Sequence, residues 1–490
     1  MEHFMPEINW HDREGLLSID IDENGKEDSY RIVTCSMLKE IRIWELVFEP
    51  CYDLRTAQVI STQLAVNFIA NIAGDHNHSI NCVRFHTFNG ERYLASGDSG
   101  GRLFVWKLSD QPPGPPQDSD LPPNKEKWVK HKSFSHGKDV TFMAWQPNGP
   151  KLASIGRDNR LLIHDVTTGR CLIETDALRE FPNGLCWDPL GRCVIVQSTD
   201  RKIEIFEATT KSKANGRAKK LGSIYSFDFP ALQFSSHCTD AKPTKLFHDD
   251  QMMSFKRLPA FSPCGQLVVA PCVHIESRDK NFYGNYVFTR RQFISTGKPS
   301  WILPAPKVTF LVKMCPILME LDKNTKENYS GLPHRVIWLT LTDQAVIFYD
   351  SQHSGPIAYV DNIHYLKLTD ASWSSDGRLV AVSSLEGYCS FLRLSFENWG
   401  VKLTTIPAYQ ATPEKVKKAV KRKRSIKPVE AVPAPPTPKV PKTPKAAKTP
   451  STPSVRQFFV TTPQQQKQPE GGELSSSERP KKRIKPITLD

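Results

Sequence analysis

The sequence has eleven cysteines in 490 residues, yet no two of them are spaced as CxxC. Zinc-ribbon and thioredoxin-like chemistry both depend on thiols paired at that spacing, so neither is supported. Nowhere do 18 consecutive apolar residues occur, and the first 30 residues carry Glu2, Glu7, Asp12 and Glu14 where a secretory signal would place an apolar run. A soluble, intracellular, reduced protein with no membrane partner is expected. There is also no GxxxxGK[ST] loop to cradle a nucleotide phosphate. No cofactor or metal is expected.

What is present divides into two regions. Hydrophobic residues at 39%, aromatics at 10% and charged residues at 24% suit a globular core, but of the 38 prolines 15 fall within residues 402–490. The same segment holds 20 Lys and Arg against 6 Asp and Glu, a net charge of +14 in a chain whose total is +13, so residues 1–401 sum to −1. A near-neutral body must recognise partners by shape, whereas the basic tail is the part that meets acidic partners.

The body repeats. VTFMAWQPNGPKLASIGRDNRLLIHDV (Val140 to Val166) and NGLCWDPLGRCVIVQSTDRKIEIFE (Asn183 to Glu207) share one grammar, which recurs from Ile80 to Leu108 and from Asp370 to Leu394. Each runs from a strand of apolar and small residues through a Pro, Asn or Gly turn to a second strand, then an Asp turn, then a third alternating strand. Weaker copies end in IRIWEL (Ile41 to Leu46), run from FSPCGQLVVAPC (Phe261 to Cys272) to NYVFTR, and run from VTFLVKMCP to RVIWLTLTDQAVIFYD (ending at Asp350), which makes seven. Alternation with period two, broken by turn signals every 8 to 12 residues, marks strands rather than helices. An all-β, seven-bladed WD-repeat propeller over residues 1–401 is therefore expected, followed by a disordered basic tail over 402–490. The recurring Asp98, Asp158, Asp200 and Asp343 occupy the turn before the third strand, where a carboxylate satisfies backbone groups and His, Ser or Thr side chains inside a blade. Segments 109–127, 208–250 and 274–300 read as insertions, the expected functional loops.

Two motifs tempt a catalytic reading. Gly97-Asp98-Ser99-Gly100-Gly101 spells the surroundings of a serine-peptidase nucleophile, but Asp98 falls at the repeat position shared with Asp158 and Asp200, and the glycines serve a tight turn. His248-Asp249-Asp250 offers metal-ligand chemistry, but adjacent side chains diverge and no second ligand cluster accompanies them. No enzyme is expected.

The tail carries its own signals. Lys417, Lys418, Lys421, Arg422, Lys423 and Arg424 form a nuclear import run that could also contact DNA phosphates weakly and without sequence preference. Thr437, Thr443, Thr449 and Thr452 each precede a proline, as proline-directed kinases require, and each phosphate would remove nearly two positive charges. Phe458 and Phe459 form a docking anchor in an otherwise polar stretch. The closing RPKKRIKPITLD places Lys482 and Arg483 before Ile484, Pro486, Ile487 and Leu489. An extended peptide of this pattern can add to an exposed sheet edge, its apolar side chains in pockets and its cations against acidic residues. A second import signal is the alternative.

Four stretches go beyond WD grammar: INWHDREGLLSIDI (Ile8 to Ile21), CWDPLGRCV, LFHDDQMMSFKRLPAFSPCGQLVVAPC (Leu246 to Cys272) and VDNIHYLKLTDASWSSDGRLVAVSSLEGYCSF (Val360 to Phe391). In them the chain resembles the middle-sized, WD-repeat subunit family of chromatin assembly factor one. The resemblance implies a non-catalytic, nuclear scaffold for replication-coupled and repair-coupled nucleosome assembly. Its implied partners are the large and small subunits of that complex, the anti-silencing histone chaperone and the core-histone pair of the central tetramer. KKRIKPITL is similar to the motif by which this family and the HIRA chaperone dock on the anti-silencing chaperone. By position, Lys482, Arg483, Ile484, Pro486, Ile487 and Leu489 would make that contact. A second near-copy, Arg424, Ile426, Pro428 and Val429, has Ser425 where a cation is expected, and which copy docks is open. Two other functions are weighed. A HIRA-like, replication-independent subunit would carry a large domain after the motif, whereas this sequence ends at Asp490. A substrate receptor of a cullin ubiquitin ligase would close a WD strand with Asp-Arg, where this chain has Trp44-Glu45, Trp106-Lys107 and His164-Asp165.

Overall fold

The structure, a computed structural model, describes residues 1–403 except 26–27, 53–58, 115–119, 209–215, 228–243, 253, 277–280 and 397–398. The described strands form seven four-stranded antiparallel sheets and one two-residue hairpin, Ser226–Phe227 with Thr244–Lys245. In six of the sheets the four strands follow chain order: blade 1 spans residues 16–72, blade 2 80–135, blade 3 140–174, blade 4 182–224, blade 5 260–305 and blade 6 311–361. Each innermost strand packs on the next, and that of blade 7 returns to that of blade 1. Blade 7 takes three strands from residues 368–393, and its outermost strand is Glu2–Phe4, paired Glu2 to Arg393 and Phe4 to Phe391. The two ends of the propeller thus share one sheet, which is what closes a ring of otherwise edge-exposed blades.

Stacking explains the weak repeats. In blade 6 the strands Arg335–Leu341 and Ala345–Asp350 are buried at every position, because neighbouring blades cover both their faces. Such strands read as unbroken apolar runs, without the alternation of a half-exposed strand. Blade 5 hides for another reason. The stretch 274–300, expected as an insertion, is instead the continuation of strand Leu267–Glu276, the strand Asn281–Thr289 and the helix Arg290–Ser295, which Thr289 caps by accepting from Gln292 N. Pro271-Cys272 mimics a turn in sequence but forms a bulge, with Cys272 at φ 66° and the register shifting between Ala270 and Val273. Segment 208–250 likewise contains the outer strand of blade 4, Lys220–Ile224.

The turn carboxylates divide. In blade 2, Asp98 Oδ2 lies 2.8 Å from His76 Nδ1, His76 Nε2 is 2.7 Å from Ser96 Oγ, and Trp106 Nε1 donates to the same hydroxyl at 2.9 Å. Indole can only donate and carboxylate can only accept, so Ser96 O–H donates to His76 Nε2 and the imidazole donates through Nδ1 to Asp98. Asp98 Oδ1 also accepts from Gly100 N and Arg102 N, tying off the turn as expected. Gly101 is required in that turn: its φ is +83°, and a Cβ there would stand 2.6 Å from the His136 carbonyl. Blade 3 repeats the relay through Asp158, His136 and Ser154. Asp200 and Asp343 depart from expectation, pairing instead with Lys202 at 2.9 Å and Lys307 at 3.3 Å. Their blades have no imidazole hydrogen-bonded to the turn among the described residues, so the carboxylates turn to the nearest cation. Glutamates take the role elsewhere: His11 Nδ1 is 3.6 Å from Glu40 in blade 1, and His364 Nδ1 is 3.3 Å from Glu386 in blade 7.

Candidate functional site

The strand order puts the connections between blades, and the turns between second and third strands, on one face of the ring. At its centre lies a cavity of about 370 Å³. Leu17, Phe255, Phe310, Leu368 and Leu385 give it an apolar lining, and Arg157, Lys256, Lys367, Asp139 and Asp343 a charged one. Around it Phe181 stacks on Phe255 at 5.9 Å with the Arg157 guanidinium 5.8 Å from the Phe181 ring, while Tyr365 stands 92% exposed on the connection into blade 7.

The cavity floor is built by a linker. The innermost strand of blade 5 has only two residues, Ala260–Phe261, so the preceding segment crosses in its place. Arg257 N donates to Asn183 O, Leu258 N to Phe310 O, and Val312 N to Leu258 O, which stitches the linker between blades 4 and 6. Gly184 permits this crossing, since a Cβ there would overlap the Arg257 carbonyl at 1.7 Å. The linker carries Lys256 into the channel, where Nζ donates to Leu17 O at 2.8 Å and lies 3.2 Å from Asp370 Oδ2.

Asp370 is the hub of the channel and is fully buried. Arg84 Nη2 donates to it at 2.9 Å and Ser18 Oγ at 2.7 Å, while Arg84 Nη1 donates to Ser18 Oγ at 2.7 Å. Beside it Asp20 accepts from Ser372 Oγ at 2.8 Å and from Phe85 N at 2.9 Å. Burial alone would raise the Asp370 carboxyl, but Arg84, Lys256 and Lys313 hold it well below the usual carboxylate range. Burial pushes Asp20 up. Burial, with Arg84 nearby, lowers the Lys313 ammonium to about 8. The network links blades 1, 2, 6 and 7 to the linker, so it fixes the shape of the mouth above it.

This arrangement equips the face to seat an apolar side chain within a polar rim, as protein partners require. Ser99 Oγ donates to Asn81 Oδ1 at 3.1 Å, and the imidazole nearest in the relay, His76, is held by Asp98 and Ser96. His248 Nδ1 lies 2.9 Å from Asp249 Oδ1 and stacks on His274, and among the described residues no three His, Cys, Asp or Glu side chains gather as metal ligands. Burial pushes the Cys82 thiol up to about 12, which keeps it unreactive. The channel network and the mouth were not foreseen from sequence. Three of the relays had a signal: His76, His136 and His364 each precede their carboxylate by 22 residues, whereas His11 precedes Glu40 by 29. Lys482, Arg483, Ile484, Pro486, Ile487 and Leu489, the Ile426 copy, the import run and the four threonines all lie outside the described residues.

Residues 1–398 match the profile of the CAF1B/HIR1 β-propeller domain. The chain belongs to this family. It is similar to a chromatin assembly factor 1 subunit of Gallus gallus, 31% identical over 84% of this chain and 72% of that protein. The corresponding chromatin assembly factor 1 subunit of Saccharomyces cerevisiae is 27% identical over 84% of this chain and 90% of its own length. Protein HIR1 of Mycosarcoma maydis is 22% identical over 85% of this chain but 36% of its own length.

Proposed function

We propose that the chain is the propeller subunit of a nuclear chromatin assembly complex of the factor 1 type, working without catalysis as a scaffold for nucleosome assembly coupled to replication and repair. In this reading the propeller holds the large subunit, in a complex that also contains the small one. The tail tethers the anti-silencing histone chaperone with its cargo of core histones, raising the effective concentration at which histones are handed over. The observation that carries the reading is the match, over 84% of the chain, to proteins named as chromatin assembly factor 1 subunits. The ending RPKKRIKPITLD supports the tether. Relatives named HIR1 stand at 22% and 23% identity, so a replication-independent role has less support.

The test is binding of purified anti-silencing chaperone to the full chain by calorimetry. Ile484→Ala with Leu489→Ala should weaken binding at least tenfold, and Ile426→Ala should leave it unchanged. Loss at Ile426 alone would move the site to Arg424, Ile426, Pro428 and Val429. No binding by the parent chain would leave the tail as an import element and a weak DNA contact.

A further inference from the structure

A propeller leaves one free edge per blade, and soluble proteins guard such edges with charge, proline or brevity. Six outer strands here are guarded. Blade 2 carries Lys127, Lys130 and Lys132, blade 3 Arg170 and Glu174, blade 4 Lys220, blade 5 Pro304, blade 6 Pro356 and Asp361, and blade 7 is only Glu2–Phe4. Blade 1 is the exception. Its outer strand, Val59–Ile72, runs 14 residues as VISTQLAVNFIANI, with no Lys, Arg, Asp, Glu or Pro.

This strand also reaches beyond its sheet. The third strand of blade 1, Ile41–Tyr52, pairs with the second only as far as Val47, but with the outer strand as far as Tyr52. One end of the edge is already occupied. Lys125 N donates to Ile69 O at 2.7 Å, and the Asn124 side chain bonds Asn71 N at 2.7 Å and Asn71 O at 3.1 Å. The segment between strands three and four of blade 2 thus demonstrates that the edge accepts a neighbouring chain. Among the described residues, no backbone bond reaches residues 61–67 from that outer side.

The two faces of the open stretch differ in chemistry. Leu64 and Val66 pack with Phe48, Trp44 and Phe68, and Leu121 and Phe4 join the same apolar cluster. On the other face Gln63 and Asn67 are exposed, and their cross-strand partners are Glu49 and Glu45. Neither glutamate forms an ion pair among the described residues. Strands lie about 4.8 Å apart, so a Lys or Arg on an added strand can reach past Gln63 and Asn67 to those carboxylates.

We propose that the edge of blade 1 at residues 61–67 is a strand-addition site for an extended segment of a partner protein in which apolar residues alternate with Lys or Arg. The added strand bonds the open backbone, sets its apolar side chains beside Leu64 and Val66, and sets its cations over Glu45 and Glu49. The inference rests on the propeller alone and is independent of the tail reading.

The test uses the full chain and a labelled, acetylated eight-residue peptide alternating Val and Lys, with fluorescence anisotropy as the readout. Saturable binding is expected. An N-methylated version, which cannot complete the ladder, should bind at least tenfold more weakly, and so should an alternating Val and Glu peptide. Gln63→Lys with Asn67→Lys should cut affinity at least tenfold with the melting temperature unchanged, since both positions are exposed. Glu45→Gln with Glu49→Gln should cut it severalfold. Equal binding of the N-methylated peptide, or indifference to Gln63→Lys with Asn67→Lys, overturns the proposal. So does sedimentation of the chain as a dimer that these lysines dissolve, because the occupant would then be a second copy.

Discussion

Blades 7, 1, 2 and 3 hold the carboxylates of their turns differently from the way blades 4 and 6 hold buried carboxylates. In the first group a histidine from the incoming connection bonds Glu386, Asp98 or Asp158, or approaches Glu40, on the face that bears the central mouth. In the second group the buried carboxylates sit at the opposite ends of the strands and are met by arginine. Asp188 takes Arg290, with Nη1 to Oδ1 at 2.7 Å, and Asp350 lies 3.2 Å from Arg335 Nε and 2.9 Å from Nδ1 of His353, three residues on in the same turn rather than on an incoming connection. The difference teaches how the mouth comes to be lopsided. Where a histidine relay locks the connection, little else can cross. Where no relay exists, the linker from Leu246 to Leu258 is free to fold inward and carry Lys256 to the centre.

The comparison can be broken at either kind of anchor. Asp188→Ala should have the largest effect, about 3–5 kcal/mol of stability, because it strips a buried guanidinium of its bidentate carboxylate; the midpoint of urea unfolding measures it, and a shift worth less than about 1 kcal/mol would show that Arg290 contributes packing alone. Asp98→Asn should cost about 2–3 kcal/mol, since it removes a charge-assisted bond to His76 inside a closed relay. Native-state hydrogen exchange should then show faster exchange at the Gly100 and Arg102 amides.

A finer test lies within the relay group. His164 stands in blade 3 where Trp44 and Trp106 stand in blades 1 and 2, and neither of its ring nitrogens has a hydrogen-bond partner among the described residues. Burial and the neighbouring His136 lower its pKa to about 3. The unfolded chain takes up that proton near the ordinary value of 6.5, so the stability contributed by neutral His164 is complete above 6.5 and is lost as pH falls toward 3. His164→Trp removes this titration and offers an indole donor to Ser154. The expected result is a flatter fall of melting temperature between pH 6.5 and 4.5 than in the parent, with a gain near neutrality of about 1 kcal/mol. An unchanged slope would place the acid sensitivity elsewhere, with Glu40 a candidate only at lower pH: burial opposes its ionisation, but the His11 bond, Arg42 and Asn71 hold its carboxyl down to about 2.

Blades 2, 3, 4 and 7 were legible because their strands keep turn residues at fixed offsets and their carboxylates follow small-residue strands. Blade 5 was legible only in part. Pro271 and Cys272 carry turn chemistry into a bulge, and no local pattern separates the two. The channel network was illegible for a different reason. Arg84, Lys256, Lys313 and Asp370 are scattered over nearly 290 residues, and only ring closure brings them together. Each reads singly as an ordinary surface charge. The unguarded edge of blade 1, by contrast, was written plainly as fourteen residues without charge, but its meaning required knowing that the strand is outermost.

The pairing of Glu2–Phe4 with Cys389–Arg393 also sets an order of events. His3 and Ser390, 387 positions apart, meet in the finished molecule, so Glu2–Phe4, made before every blade, must wait for nearly the whole propeller before they have a strand to join. Closing so long a loop is the slowest step a chain of local hairpins faces. During synthesis the six preceding blades can assemble as an open arc, and the last event is a zipper of three residues. A bulky fusion placed before Glu2 would therefore burden the one seam that the rest of the architecture depends on, whereas an interrupted translation product ending before Cys389 would leave that arc open with both terminal blades bare.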